Sequence, residues 1–296
     1  MVVTCTESGI DFGKSLSTYL HRYLDLPSNC RLFEIKQACY SGSAGLQMAV
    51  NFVLSQTSPG GKALVVTTDI SRFALADANA VQEWAYSEPS SGAGAVAMLV
   101  SDAPHVLRID PGAYGNHAFE VMDTCRPGPD TEAGDADLSL MAYLDCCAGA
   151  YEDYARRVDG ADFRETFNQL CFHTPFGGMV KGAHRHLMRK LYKAKPAEIA
   201  EDFETRLGPS LAYGKRVGNT AGGSVFRHGP ARDARVAPRV RGAHRGGVRA
   251  RQGARARAAG PVILTNLLPQ DYRRGRPVVD EAHATRRSSS GCRRHE

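Results

Sequence analysis

The sequence predicts an α/β fold in which layers of sheet and helix alternate, and three observations carry that prediction. Residues 62–68 (KALVVTT) and 93–100 (AGAVAMLV) are continuous runs rich in β-formers, the pattern of strands covered on both faces. Between such runs lie segments with apolar residues three and four apart, the spacing of amphipathic helices. The length of 296 residues, with 43% hydrophobic and 23% charged content, is ordinary for a globular chain and excludes collagen-like, coiled-coil and wholly disordered classes.

Taken in order, residues 1–4 read as the body of a strand, and residues 15–24 as an amphipathic helix carrying Leu16, Tyr19, Leu20, Tyr23 and Leu24 on one side. Leu32–Ile35 is a short strand. Residues 43–54 have almost no polar face, which predicts a helix buried in the core. Residues 110–137, rich in Gly, Pro and Asp, read as a long surface connection, and residues 138–154 and 183–191 as helices. No internal repeat of 20 to 50 residues is present.

The net charge of +6 averages two unlike segments. From residue 227 to the end there are 17 arginines, no lysine and five acidic residues, a net +12, whereas the first 226 residues hold 20 basic and 26 acidic residues, a net −6. Two segments follow: a folded body over 1–225, and an Arg/Ala/Gly-rich tail over 226–296 that lacks the apolar area to offset its ordering entropy. Only residues 261–268 (PVILTNLL) of that tail could form a short strand.

Apolar runs such as 93–100 fall far short of the roughly 20 residues that span a bilayer, and the first residues lack the order of a signal peptide, so a soluble, cytoplasmic protein is expected. The eight cysteines (Cys5, Cys30, Cys39, Cys125, Cys146, Cys147, Cys171 and Cys292) show no CxxC spacing and are expected to be free thiols.

Three short stretches carry chemistry. In Gln37-Ala38-Cys39-Tyr40-Ser41-Gly42-Ser43-Ala44-Gly45 a cysteine precedes a helix, where exposed amides and the positive end of the dipole favour thiolate and small neighbours leave room for a substrate. By spacing alone such a cysteine is more often a buried small hydrophobe. In Cys171-Phe172-His173-Thr174-Pro175-Phe176-Gly177-Gly178 a histidine sits in a constrained turn, fit to donate to a reacting oxygen or to serve structure alone. Glu7, in Thr6-Glu7-Ser8-Gly9 at the end of the first strand, is a third candidate, although acids at strand ends are usually only solvated.

Weaker signals point away from other chemistries. His184-Arg185-His186 lies on a basic helix without a nearby Cys or Asp partner, so no metal is expected. Gly92-Ala93-Gly94 is not the dinucleotide fingerprint, and small residues for strand packing explain it. Cys146 and Cys147 point to different faces of one helix and do not form a redox pair.

Seven collinear words resemble the hydroxymethylglutaryl-CoA synthase family of the thiolase superfamily: TESGIDFGKS (6–15), FEIKQACYSGSAGLQMA (33–49), VVTTDISRF (65–73), EPSSGAGAVAMLVS (88–101), SLMAYLDC (139–146), FHTPFGGMVKGAH (172–184) and VGNTAGGSV (217–225). The wording KQACYSG, TTDISRF and FHTPFGGMVKGAH is most similar to the polyketide β-branching synthases, which act on carrier-protein-bound chains. The resemblance implies a thiolase-like layered αβαβα fold, incomplete at both ends. It implies that Cys39 is the nucleophile that takes an acetyl group, Glu7 the base that removes a methyl proton from acetyl-Cys39, and His173 the group that donates to the acceptor's β-carbonyl oxygen. Asn219 matches an asparagine that holds the acceptor. No cofactor is implied beyond the acetyl and β-ketoacyl thioesters of acyl carrier protein or CoA. Acyl carrier proteins bearing phosphopantetheine are the implied partners, with a homodimer, no membrane and no nucleic acid.

The resemblance stops at residue 225, and family members carry roughly 70 residues ahead of the point matching Met1. Truncation at the start and a shifted reading frame after residue 225 are therefore expected, and with them a chain inactive or nearly so in overall synthesis. Two other classes remain: a ketoacyl-synthase or thiolase-type condensing enzyme, which would need a two-histidine or His/Asn pattern, and an inactive fragment whose arginine-rich tail binds nucleic acid through phosphates.

Overall fold

The computed structural model describes residues 1–55, 58–70, 88–103, 105–128, 131–228 and 262–265. Its centre is a mixed six-stranded sheet in the order β2-β1-β3-β4-β8-β5. Strand β1 (Val2–Cys5) is buried along its whole length and pairs in parallel with both β2 (Leu32–Ile35) and β3 (Ala63–Ile70), so that Val3 lies opposite Phe33 on one side and Val65 on the other. Strand β4 (Ala93–Ser101) runs antiparallel to β3 over its length. Two short strands complete the sheet, β5 (Leu107–Ile109) and β8 (Val262–Thr265), each antiparallel to its neighbour. Strand β8 comes from the one stretch of the arginine-rich tail with strand-forming residues; residues 229–261 and 266–296 of the tail lie outside the described residues.

Helix α1 (Leu16–Tyr23) follows β1, and α2 (Ser41–Leu54) follows β2, both close to the predicted spans. The helix α2 packs on β1, β3 and β4 through Gly45, Ala49 and Val50; a Cβ on Gly45 would collide with Cys5 Sγ, so the bare backbone is what lets helix and strand approach. The core between them holds Val3, Cys5, Val65, Val96, Met98 and Val100, all essentially inaccessible. Burying each such large aliphatic side chain contributes about 1.5–3 kcal/mol.

Three expectations are corrected. Along β4 accessibility alternates, with Ala93, Ala95 and Ala97 exposed and Val96, Met98 and Val100 buried, so this strand has one open face rather than two covered ones. In α2, Gln47, Met48 and Asn51 face solvent, so the helix is only half-buried; the small apolar residues serve close packing on one side. The connection 110–137 holds a small hairpin, β6 (Thr124–Gly128) with β7 (Thr131–Gly134), and then Asp135, whose carboxylate accepts from Leu138 N at 2.8 Å and caps the next helix.

That helix, α3 (Ala136–Arg157), begins a second packed region with α4 (Gly177–Tyr192) and α5 (Pro196–Asp202), the last continuing as a π-turn over Phe203–Leu207. Its core contains Phe163, Val180, Leu187, Met188 and Leu207. It also contains a buried ionic group. Asp202 accepts from Arg206 Nε at 2.8 Å and Nη2 at 2.8 Å and from His184 Nε2 at 2.6 Å, while Arg206 Nη1 donates to the carbonyls of Phe163 and Phe167.

Among the described residues no helix is long and apolar enough to cross a membrane, and seven cysteines are free thiols. No described group of His, Cys, Asp and Glu is arranged to hold a metal; His184 is turned fully into the core against Asp202, away from the exposed side of its helix.

Candidate active site

The carboxyl ends of the parallel strands β1, β2 and β3 bring three segments together. After β1 the chain turns through Thr6, Glu7 and Ser8 around the carboxylate of Asp69 on β3, whose Oδ1 accepts from Thr6 Oγ1 (2.9 Å), Glu7 N (2.8 Å), Ser8 N (3.1 Å) and Ser8 Oγ (3.1 Å). Asp69 is 4% exposed, and its Oδ2 has no hydrogen-bond partner. After β2 a tight turn over residues 37–40 holds Ala38 at φ 41° and presents Cys39 just before α2. Cys39 Sγ lies 3.9 Å from Glu7 Oε2, with the thiol directed at the carboxylate. Nucleophile and base candidates that are 32 residues apart in the chain are thus in contact.

The electrostatics correct one expectation. Burial pushes the Cys39 thiol far above the ordinary thiol range, and the carboxylates of Glu7 and Asp69 push it further. Burial and these two acids oppose what the helix start offers a thiolate. The first amides of the turn are already engaged, Tyr40 N with Gln37 O and Ser41 N with Ala38 O, so they offer little to a sulfur anion, and two nearby acids oppose it. Asp69 is itself raised, burial outweighing the hydrogen bonds from Glu7, Thr6 and Ser8 that lower it. An acid at the end of a buried strand was the signal available for Asp69; only the pairing of β1 with β3 shows that it and Glu7 belong together.

Asn219 and His173 lie on two further segments. Asn219 pairs by its backbone with Ser91 and Ser90, and its Oδ1 accepts from Ala221 N at 2.9 Å and Ser224 Oγ at 2.7 Å, so its carbonyl end organises the loop that bears it. That loop then crosses the start of α2, where a Cβ on Gly42 would collide with the Gly222 carbonyl. At Val225 its carbonyl accepts from Cys171 Sγ at 3.2 Å, two residues before His173. The histidine's own backbone carbonyl accepts from Tyr143 Oη of α3 at 2.6 Å. The segment 219–225 therefore joins the helix start beside Cys39 to the turn holding His173, while Tyr143 fixes that turn from the other side. The structure brings Cys39 and Glu7 into direct contact, sets the loop of Asn219 across the start of α2, and ties that loop to the segment of His173 through Cys171.

Residues 2–104 match the family profile "Hydroxymethylglutaryl-coenzyme A synthase N terminal". The Bacillus subtilis polyketide biosynthesis 3-hydroxy-3-methylglutaryl-ACP synthase PksG is 62% identical over 228 residues, a span covering 76% of this chain and 54% of that protein. The chain belongs to the hydroxymethylglutaryl-CoA synthase family. The Enterococcus faecalis hydroxymethylglutaryl-CoA synthase is 36% identical over 227 residues, 76% of this chain and 55% of the relative. Among solved structures, the curacin biosynthetic pathway HMG synthase in complex with acetyl donor-ACP shares 63% identity at a TM-score of 0.73, covering 77% of this chain and 54% of that one. The sheet and helices described above are thus the thiolase-like α/β fold of this synthase family. The chain spans about half the length of the curated relatives it matches.

Proposed function

We propose that this chain carries the chemistry of a synthase that joins an acetyl group to a β-ketoacyl thioester, both delivered on acyl carrier proteins. The observation that supports this most is the contact between Cys39 Sγ and Glu7 Oε2, a nucleophile and a carboxylate base facing each other at the carboxyl ends of parallel strands. In the first step the Cys39 sulfur attacks the acetyl carbonyl, loses its proton, and expels the carrier thiol, leaving acetyl-Cys39. Glu7 then takes a proton from the acetyl methyl group, and the resulting enolate attacks the acceptor's β-carbonyl carbon. His173 donates a proton to the alkoxide that forms, and Asn219 holds the acceptor. Water finally cleaves the Cys39 thioester, releasing the branched 3-hydroxy acid thioester and restoring the thiol. No cofactor takes part in these steps.

A raised thiol suits this order. Cys39 is protonated at rest, and the neutral thioester it becomes is favoured beside two carboxylates where a thiolate is not. Once sulfur is acylated, Glu7 faces the acetyl group instead of a thiol hydrogen. The test is to offer acetyl groups on a carrier protein and on CoA, with β-ketoacyl acceptors on the same two carriers, and to identify acyl-protein and product. Faster acetyl uptake from the carrier protein and a 3-hydroxy product retaining the acetyl carbons support the reading. Preference for CoA overturns the carrier assignment, and a decarboxylated product, or no acyl-protein from either donor, overturns the synthase chemistry.

A further inference from the structure

The sequence word SLMAYLDC (139–146) lies in α3, and none of its residues has a part in the steps proposed above. One of them reaches the histidine turn. Tyr143 Oη donates to the backbone carbonyl of His173 at 2.6 Å, across 30 residues of chain. The helix that carries Tyr143 is a firm mount: Asp135 caps its start, Ser139 Oγ donates to Asp123 at 2.9 Å, and Ala142 and Ala148 are buried before and after the tyrosine. Burial pushes the phenol far above the ordinary tyrosine range, and the Cys147 thiol beside it adds to this. The hydroxyl therefore keeps its proton and remains a donor at every working pH.

The turn has other ties. Thr174 Oγ1 donates to the Phe172 carbonyl at 3.0 Å, and Cys171 Sγ reaches the Val225 carbonyl at 3.2 Å, although a thiol is a weak donor. The Tyr143 bond differs in that it comes from a separate helix and ends on the histidine itself. The carbonyl it grips belongs to the peptide plane leaving His173, so fixing that plane restricts the directions in which the side chain can set out. A proton donor must stand within about 0.5 Å of its productive place, and an error of about 1 Å costs about 10²-fold in rate. We infer that Tyr143 is a positioning residue for His173, its hydroxyl setting the backbone from which the imidazole reaches the acceptor's oxygen. The inference rests on the reading of His173 as that donor, and it gives Tyr143 no contact with either substrate.

The experiment compares the full parent chain with Tyr143→Phe and His173→Gln in three steps: acetyl uptake from acetyl-pantetheine, exchange of the acetyl methyl hydrogens with deuterated water, and condensation with a β-ketoacyl carrier protein. In Tyr143→Phe the first two should stay within about twofold of the parent, while condensation at saturating acceptor slows about 10- to 100-fold. The ring and its packing remain, so the melting temperature should drop by no more than about 2–4 °C. Placing 3-fluorotyrosine at 143, which keeps a donor there, should restore the condensation rate. With isotope-labelled histidine, the His173 ring, identified by its absence from His173→Gln, should give one sharp NMR signal in the parent and a shifted or broadened one in Tyr143→Phe. A Tyr143→Phe chain that condenses like the parent, whose His173 signal does not change, or that loses all three steps together with its stability would overturn the inference. Condensation that survives His173→Gln, or a parent that does not condense, would instead strike the reading of His173 as donor, and the NMR comparison would still decide whether Tyr143 places the ring.

Discussion

At the carboxyl ends of β1 and β3 buried oxygens keep capacity to spare, since Asp69 Oδ2 and Ser41 Oγ have no hydrogen-bond partner and Cys39 sits among carboxylates that disfavour its ionisation. Between α4 and α5 the charged atoms are more fully engaged: both oxygens of Asp202 and three nitrogens of Arg206 have partners and rings of Phe163 and Phe203 pack around them, although His184 Nδ1 beside them has none. Unmet polar capacity costs free energy, whereas a network of paired charges holds a structure in one arrangement. The comparison separates two kinds of buried acid in one chain, one poised beside a nucleophile and one that fastens helices beneath the histidine turn.

The sharpest way to break this distinction is Glu7→Gln. The carboxylate is lost, and with it the base for the methyl proton, so exchange of the bound acetyl's methyl hydrogens with deuterated water should slow by about 10²- to 10⁴-fold. Acetyl uptake itself should persist, because the substitution removes one of the negative charges that raise the Cys39 thiol. The melting temperature should scarcely move. If acetyl uptake and stability fall together, Glu7 belongs with the structural acids.

Arg206→Ala is the converse test. It leaves Asp202 buried with one partner fewer and should cost about 3–5 kcal/mol in denaturant unfolding. Once folded at low temperature, the variant should still acetylate Cys39. A change below about 1 kcal/mol would mean that the network contributes little.

A smaller effect separates the regions by pH. Burial holds His184 below the ordinary histidine value of 6.5, with Arg206 and Arg164 adding to this against the upward pull of Asp202. Its folded-state pKa lies below its unfolded one, so the stability it contributes is complete above pH 6.5 and is lost as the pH falls below that value. Asp202 is depressed because hydrogen bonds from Arg206 and His184 outweigh its burial, and its contribution is lost further into acid. Melting temperatures between pH 8 and 5 should decline, and the decline between pH 6.5 and 5 should flatten in His184→Gln. A parallel decline in that variant would assign the pH dependence to other groups.

Much of this was legible in the residues, and the exceptions have physical causes. The runs at 62–68 and 93–100 marked β3 and β4, because continuous β-branched and small apolar stretches have few alternatives; whether β4 had one covered face or two depended on what packs against it, which no local pattern encodes. The hairpin at 124–134 was hidden because Cys125, Pro127 and Gly128 give no strand alternation. Cys39, Glu7 and His173 became candidates through their local setting and the resemblance, and Asn219 through the resemblance alone; periodicity named none of them. Asp69 drew no separate notice inside the word VVTTDISRF, and the loss of thiolate character at Cys39 was missed because it comes first from burial and then from two acids, 32 residues before it and 30 after it. Only the sheet brings those three together.

The account turns on Cys39 being the acyl acceptor, and the direct measurement is intact-protein mass with peptide mapping after exposure to an acetyl thioester. One acetyl group should appear, map to Cys39, and vanish in Cys39→Ser while remaining in Glu7→Gln, with uptake rising steadily with pH as the raised thiol gives up its proton. An acetyl group that maps to Cys171 or Cys146, or that survives Cys39→Ser, would contradict the account.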